Sequence, residues 1–264
     1  MFTPNNSLQL KIAVNEWIEN EKKAYVNYGH ISNWNISKIE SLNQLFYKKI
    51  NFNADISKWD VSNVKYMYET FYEAKSFNSN IGNWDVSNVS DMYRSFYGAS
   101  SFNSDISLWD VSKVNNMSGL FYGASSFNSD ISNWNVSRVF YMEDMFRNAE
   151  LFNSDISNWD VSNVTNMEKM FSGAKSFNSD ISNWDVSNVT NVIDMFRDAK
   201  SFNSNICNWN VSKIECMVNM FRGAKSFNSD LSDWDVSNIS NVWDMEDMFL
   251  DADSFKSDYK PKFL

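Results

Sequence analysis

FNSDISNWDVSNVTNMEKMFSGAKS, residues 152–176, carries two periods side by side. Its apolar positions are Phe152, Ile156, Trp159, Val161, Val164, Met167, Met170, Phe171 and Ala174. From Trp159 to Val161 the step is two, the step by which a strand shows alternate residues to one face. From Val161 to Ala174 the steps are mostly three, with Met170 and Phe171 adjacent, which predicts a short helical or 3₁₀ arm.

The stretch is one copy of many. Trp34, Trp59, Trp84, Trp109, Trp134, Trp159, Trp184, Trp209 and Trp234 follow one another at intervals of 25 residues. Ile recurs three residues before Trp, from Ile31 to Ile206, and Leu231 takes its place in the last copy. Phe columns run from Phe46 to Phe221 and from Phe52 to Phe227, and an Ala column runs from Ala74 to Ala224. A fixed period of this length marks units that bury their apolar faces only by stacking on neighbours. Trp should then lie on Trp and Phe on Phe.

Strand plus arm gives the expected fold class: α/β, a right-handed leucine-rich-repeat-like solenoid of nine to ten coils. Residues 7–27 should cap its first end. Leu10, Val14, Trp17 and Ile18 follow the spacing of an amphipathic helix, with Ser7 available as N-cap and Gly29 near the end. The expected organisation is a helical cap over 1–28, repeats over 29–255 and a tail over 256–264. From Trp234 to Phe249 there are 15 residues where other copies have 12, an insertion of three.

The spacing Ile156-x-x-Trp159-x-Val161 matches the L-x-x-L-x-L of leucine-rich repeats. With F-N-x-D-I-S-x-W-D-V-S-x-V-x-x-M-x-x-M-F-x-x-A around it, the repeat resembles the BspA-like leucine-rich repeat surface-protein family. The resemblance covers about residues 29–255. It implies the fold, and a surface or adhesion setting such as bacterial members have. Members in large DNA viruses and protists have no known role.

Composition narrows the function classes. Net charge is −10, with 23 Lys plus Arg against 33 Asp plus Glu. That disfavours nucleic acid or an anionic membrane surface as partner. Cys207 and Cys216 are too few for a disulfide framework and read as free thiols. No secretory signal or membrane-spanning run is visible, so an intracellular or particle-associated protein is expected, with surface display by another route as the alternative. His30 is the single histidine, and no phosphate loop, C-x-x-C or H-E-x-x-H occurs. Carboxylates recur in every copy, whereas a catalytic constellation is singular. The expectation is therefore no enzyme, no cofactor and no metal site.

Three polar columns call for separate readings. Asn53 to Asn228 and Ser37 to Ser237 read as corner ladders and turn caps. The column after Trp holds Asp60, Asp85, Asp110, Asp160, Asp185 and Asp235, with Asn in the other three copies. It is expected to face outward. There it is held by solvent and Ser donors, meets a basic partner, or collects a cation such as Ca²⁺. Its spacing is not that of a known calcium loop.

The column after the second Phe reads Tyr47, Tyr72, Tyr97, Tyr122, Arg147, Ser172, Arg197, Arg222. Tyr68 and Tyr93 stand four residues before two of these tyrosines, one helical turn away on the expected arm. Tyr and Arg are enriched at interface hot spots, so this column is the candidate surface for a protein partner or for self-association. The competing reading is aromatic stacking with hydroxyls in water. The functional expectation is a non-enzymatic surface or particle protein that binds a protein partner through its repeat faces. The alternative is a purely structural component, for example of a virion.

Overall fold

The computed structural model describes residues 1–239 and 241–262. Phe263 and Leu264, at the end of the expected tail, and Ser240, in the last repeat, lie outside the described residues.

The N-terminus forms two helices where one was expected. α1 (Ser7–Glu19) buries Leu10, Ala13, Val14 and Trp17. Its N-cap is Asn6, whose side chain accepts from the Gln9 amide at 2.9 Å. Ser7 instead donates its hydroxyl to the Ser41 carbonyl at 2.7 Å and so ties the helix to the first coil. α2 (Glu21–Tyr28) starts at Asn20 and ends at Gly29, whose φ of 74° suits a residue without Cβ. Trp17 meets Trp34 edge-on at 6.1 Å, which joins the cap to the first rung of the tryptophan column. Ile18, expected on the apolar face, is exposed. No helix is long and apolar enough to cross a membrane among the described residues.

The repeats stack with equivalent residues in contact, and the apolar columns form one continuous core. Trp134 lies parallel to Trp159 with centroids 6.5 Å apart, Phe146 on Phe171 at 5.7 Å, and Phe152 on Phe177 at 5.9 Å. The two Phe columns also touch each other within a coil, Phe171 on Phe177 at 3.9 Å.

The backbone overturns the expected fold class. The described residues contain no sheet and no helical arm, so the α/β leucine-rich-repeat-like coil is not what this chain forms. The step of two around Trp159 correctly places Trp159 and Val161 inside, but it does not make a strand. The Trp159 amide bonds the Ile156 carbonyl at 3.1 Å and the Val164 amide bonds the Val161 carbonyl at 2.9 Å, so the backbone closes two successive turns there.

The arm is also built from turns. The amides of Met170, Ser172 and Ala174 close i→i−3 bonds to Met167, Lys169 and Phe171. The alternating amides of Met167, Lys169, Phe171 and Gly173 leave the coil and bond the carbonyls of Asn191, Ile193, Met195 and Arg197 in the next. A helix needs those same amides for its own i−4 carbonyls. Left-handed backbone every fourth residue, φ 57° at Lys169 and 72° at Gly173, breaks the helix as well. The parallel bridges found, from Ser41↔Tyr66 to Asn191↔Cys216, are single pairs at the start of this arm.

The insertion of three does not break the stack. Phe249 lies on Phe221 at 5.7 Å and Phe255 on Phe227 at 5.7 Å, while Val242–Met245 forms a short 3₁₀ turn. The amides of Asp247, Phe249 and Asp251 occupy positions whose equivalents donate to a following coil, and they have no backbone acceptor among the described residues, whereas Met245 lies within the 3₁₀ turn. The tail crosses this end, and the Leu231 amide donates to the Tyr259 carbonyl at 2.9 Å.

Candidate functional site

Neighbouring residues on the arm point to opposite sides. Phe71 is fully buried and Tyr72 beside it is half-buried, and the same holds for Phe96–Tyr97 and Phe121–Tyr122. The tyrosines form a ladder of their own. Tyr47 stacks on Tyr72 at 4.8 Å, Tyr72 on Tyr97 at 4.6 Å, and Tyr97 on Tyr122 at 4.1 Å, with planes within 17° of parallel. Burial raises the phenols of Tyr68, Tyr72 and Tyr97 above the ordinary tyrosine range, and for Tyr97 the neighbouring Tyr122 adds to it.

Tyr68 and Tyr93 stack on each other at 5.3 Å. With no helix in the arm they are not one helical turn from the first column. They form a second, parallel column that Arg94 links to the first, its guanidinium 4.8 Å from the Tyr93 ring centre and 5.5 Å from that of Tyr97. The sequence reading passed over Arg94. Its signal is Gly119 one coil later, where a Cβ would stand 3.0 Å from the Arg94 Cγ.

Arg147 continues the ladder, its guanidinium 5.3 Å from the Tyr122 ring centre. It also bonds Asp144 at 3.2 Å, Arg197 bonds Asp194 at 3.3 Å, and Arg222 bonds Asp247 at 3.2 Å. Between Arg147 and Arg197 the column holds only Ser172, and a cavity of about 440 Å³ opens there.

The acidic column lies elsewhere. Asp60, Asp85, Asp110, Asp160, Asp185 and Asp235 are all exposed. Each accepts the amide of the Ser two residues on, at 3.0 or 3.1 Å. In Asp60 and Asp160 the Ser hydroxyl donates too, at 2.6 Å. These are side-chain-closed turns. The Ser hydroxyl and amide hold the carboxyls of Asp110, Asp185 and Asp235 below the usual range. A second column, unremarked in the sequence, repeats the device: Asp105, Asp130, Asp155, Asp180 and Asp230 each accept the amide of the Ser two residues on, and that amide and hydroxyl lower their carboxyls too. No group of three or more His, Cys, Asp or Glu suited to a metal ion occurs among the described residues.

The Asn column forms a ladder from Asn53 to Asn228, with each carbonyl oxygen accepting the backbone amide of the Asn one coil later, as Asn153 does for Asn178 at 2.7 Å, and Asn228 at its end accepting the Lys256 amide. It is exposed over most of its length rather than buried. His30 bonds Ser32 at 2.7 Å and packs edge-on against Trp17, at the seam between cap and coils. Cys207 and Cys216 are free thiols.

No curated protein matches the chain. A family model described as "Mycoplasma protein of unknown function, DUF285" matches it in three overlapping stretches, residues 14–119, 104–196 and 152–262. These run from the cap through all nine tryptophan rungs to the tail, and the chain belongs to that repeat family.

Proposed function

We propose that this chain is a non-enzymatic binding module, with the tyrosine ladder and its arginine continuation as its partner surface. The observation that carries the reading is the stacking of Tyr47, Tyr72, Tyr97 and Tyr122 into one half-buried strip. Stacking fixes the rings in advance, so little side-chain freedom is lost when a partner covers them. Each ring offers a large apolar area and a polar tip. Arg94 and Arg147 lie over the same rings and add a second hot-spot residue type. The repeat text also resembles BspA-like surface proteins, which supports a surface or particle setting with a protein as partner. Neither the tyrosine strip nor the turn-locked aspartates supply a nucleophile paired with a base.

Tyrosine iodination tests the reading. In the purified chain Tyr72, Tyr97 and Tyr122 should label slowly but measurably. In the native assembly they should be protected while Tyr25, 57 % exposed on the cap, stays reactive. Equal labelling in both settings would contradict it.

A structural role in an assembly is a second reading, favoured by three amides at the far end of the stack. Asp247, Phe249 and Asp251 present donors in the register that a further coil would accept.

A further inference from the structure

We infer that the break in the column at Ser172 is a receptor for one aromatic side chain of the partner, held between the guanidinium groups of Arg147 and Arg197. The inference rests on the proposed partner surface and names its specificity pocket.

The column sets the geometry. Every coil from Tyr47 to Tyr122 contributes one ring, spaced 4.1–4.8 Å from the next. Arg147 continues the stack on Tyr122 at 5.3 Å. At Ser172 the rung is missing, and the side chain that would fill it ends at a buried hydroxyl. Two coils separate Arg147 from Arg197, roughly 10 Å at ordinary backbone stacking distance. A flat ring midway would lie about 5 Å from each guanidinium, inside the range of a cation–π contact. The cavity of about 440 Å³ has Ser172 and Gly173 among its lining residues, with Arg147 and Arg197 on either side and Lys175 and Lys200 beside them.

The choice of ligand follows from what the arginines already bond. The guanidinium edge of Arg147 is taken by Asp144, and that of Arg197 by Asp194 with Asp198 at 3.7 Å. Lys175 is paired with Glu150 at 2.7 Å. An anion at either arginine would have to displace these carboxylates, whereas a ring uses the guanidinium faces. The carboxylates also restrain each arginine within its own coil. A tyrosine or tryptophan suits best, because its polar tip can reach the rim.

The test needs no partner. N-acetyl-tyrosinamide is titrated into the full chain and followed by NMR, with inorganic phosphate as the anionic alternative. The expected result is saturable shifts of the Ser172 and Gly173 amides and the Arg147 and Arg197 Nε–H signals, in the millimolar range normal for one ring. Ser172→Tyr supplies the rung from within and should abolish the shifts at unchanged melting temperature. If that variant does not fold, Arg147→Gln with Arg197→Gln keeps the packing and should weaken binding at least about five-fold. No shifts with the ring probe, equal shifts in the folded variants, or a preference for phosphate would each overturn the inference. The tyrosine column takes no part in this titration. Its failure leaves the partner surface standing, and failure of the partner surface leaves the titration unaffected.

Discussion

The indole Nε1–H of Trp159 donates to the carbonyl oxygen of Ile131 at 3.1 Å, reaching back one coil, and the same oxygen accepts the Trp134 amide at 3.1 Å. One carbonyl therefore closes a turn in its own coil and anchors the tryptophan of the next. The arrangement recurs from Trp59 on Ile31 to Trp234 on Ile206. It does the joining that strand pairing does in a sheet, and it requires Trp because no other large apolar side chain carries a donor there.

Trp159→Ala should therefore destabilise the fold by about 3–5 kcal/mol, as large aromatic deletions do. Trp159→Phe keeps much of the packing and loses one of the two bonds to Ile131. It should cost less, with the hydrogen-bond share about 0.5–1.5 kcal/mol. Denaturant melts of the two variants check both size and order, and equal costs would mean that the ring packing kept by Phe contributes nothing beyond the lost bond.

The left-handed positions give a prediction of opposite sign at two sites. Gly173 has φ 72°, and a Cβ there would meet Asn148 Oδ1 at 2.2 Å, so Gly173→Ala should destabilise by more than about 1 kcal/mol. Glu73 sits at φ 52° in the same column, where later coils carry Gly98, Gly123, Gly173 and Gly223. Glu73→Gly removes a left-handed strain of roughly 1–2 kcal/mol and should stabilise, less the entropy that glycine loses on folding. Thermal melts that move the same way for both would contradict the assigned backbone.

These positions also show why the coil was misread. The burial of the tryptophan, phenylalanine and alanine columns was legible, because side-chain spacing reports which face is inside. The backbone path was not. Steps of three arise equally from a helical arm and from successive turns that each close at i→i−3. The discriminating signal was in the glycines: Gly98, Gly119, Gly123, Gly173 and Gly223 all fall in two columns four residues apart, filled elsewhere by residues such as Asn148, Asp144 and Asp198. Glycine, Asn and Asp at that interval mark repeated left-handed turns, which a helix does not accept. At the candidate surface the tyrosine column was visible as text, but its stacking, the bridging Arg94 and the slot at Ser172 depend on contacts between coils.

The two acidic columns and the tyrosine ladder predict a stability plateau in pH. The folded carboxyls of Asp105, Asp110, Asp130, Asp155, Asp180, Asp185, Asp230 and Asp235 titrate below their unfolded value. Their contribution is complete above the ordinary carboxylate range and fades as pH falls through the lowered values. Tyr68, Tyr72 and Tyr97 titrate above theirs, so their contribution is complete below about pH 10 and fades as pH rises further. Melting temperature against pH should be flat between about 5 and 9 and fall on both sides. A maximum near the isoelectric pH of 4.6 would refute this.

Amide exchange reads the stack along its length. The amides of Met217, Asn219, Phe221 and Gly223 bond the last coil and should be protected, while those of Asp247, Phe249 and Asp251 should exchange faster. Protection of the second set in the purified chain would mean that another segment already covers that end.

The partner surface is tested most directly by replacing Tyr72 and Tyr97 together with Ser and measuring fold and association side by side. Both rings are half-buried and flank no core position that Phe71 and Phe96 do not already fill. The account predicts a cooperative melt within a few degrees of the parent, with affinity for the native partner, or self-association in sedimentation, weakened by more than about five-fold, or 1 kcal/mol. A variant that unfolds, or one that folds and binds as the parent does, would assign the tyrosines to the core ladder and leave the surface without its binding strip.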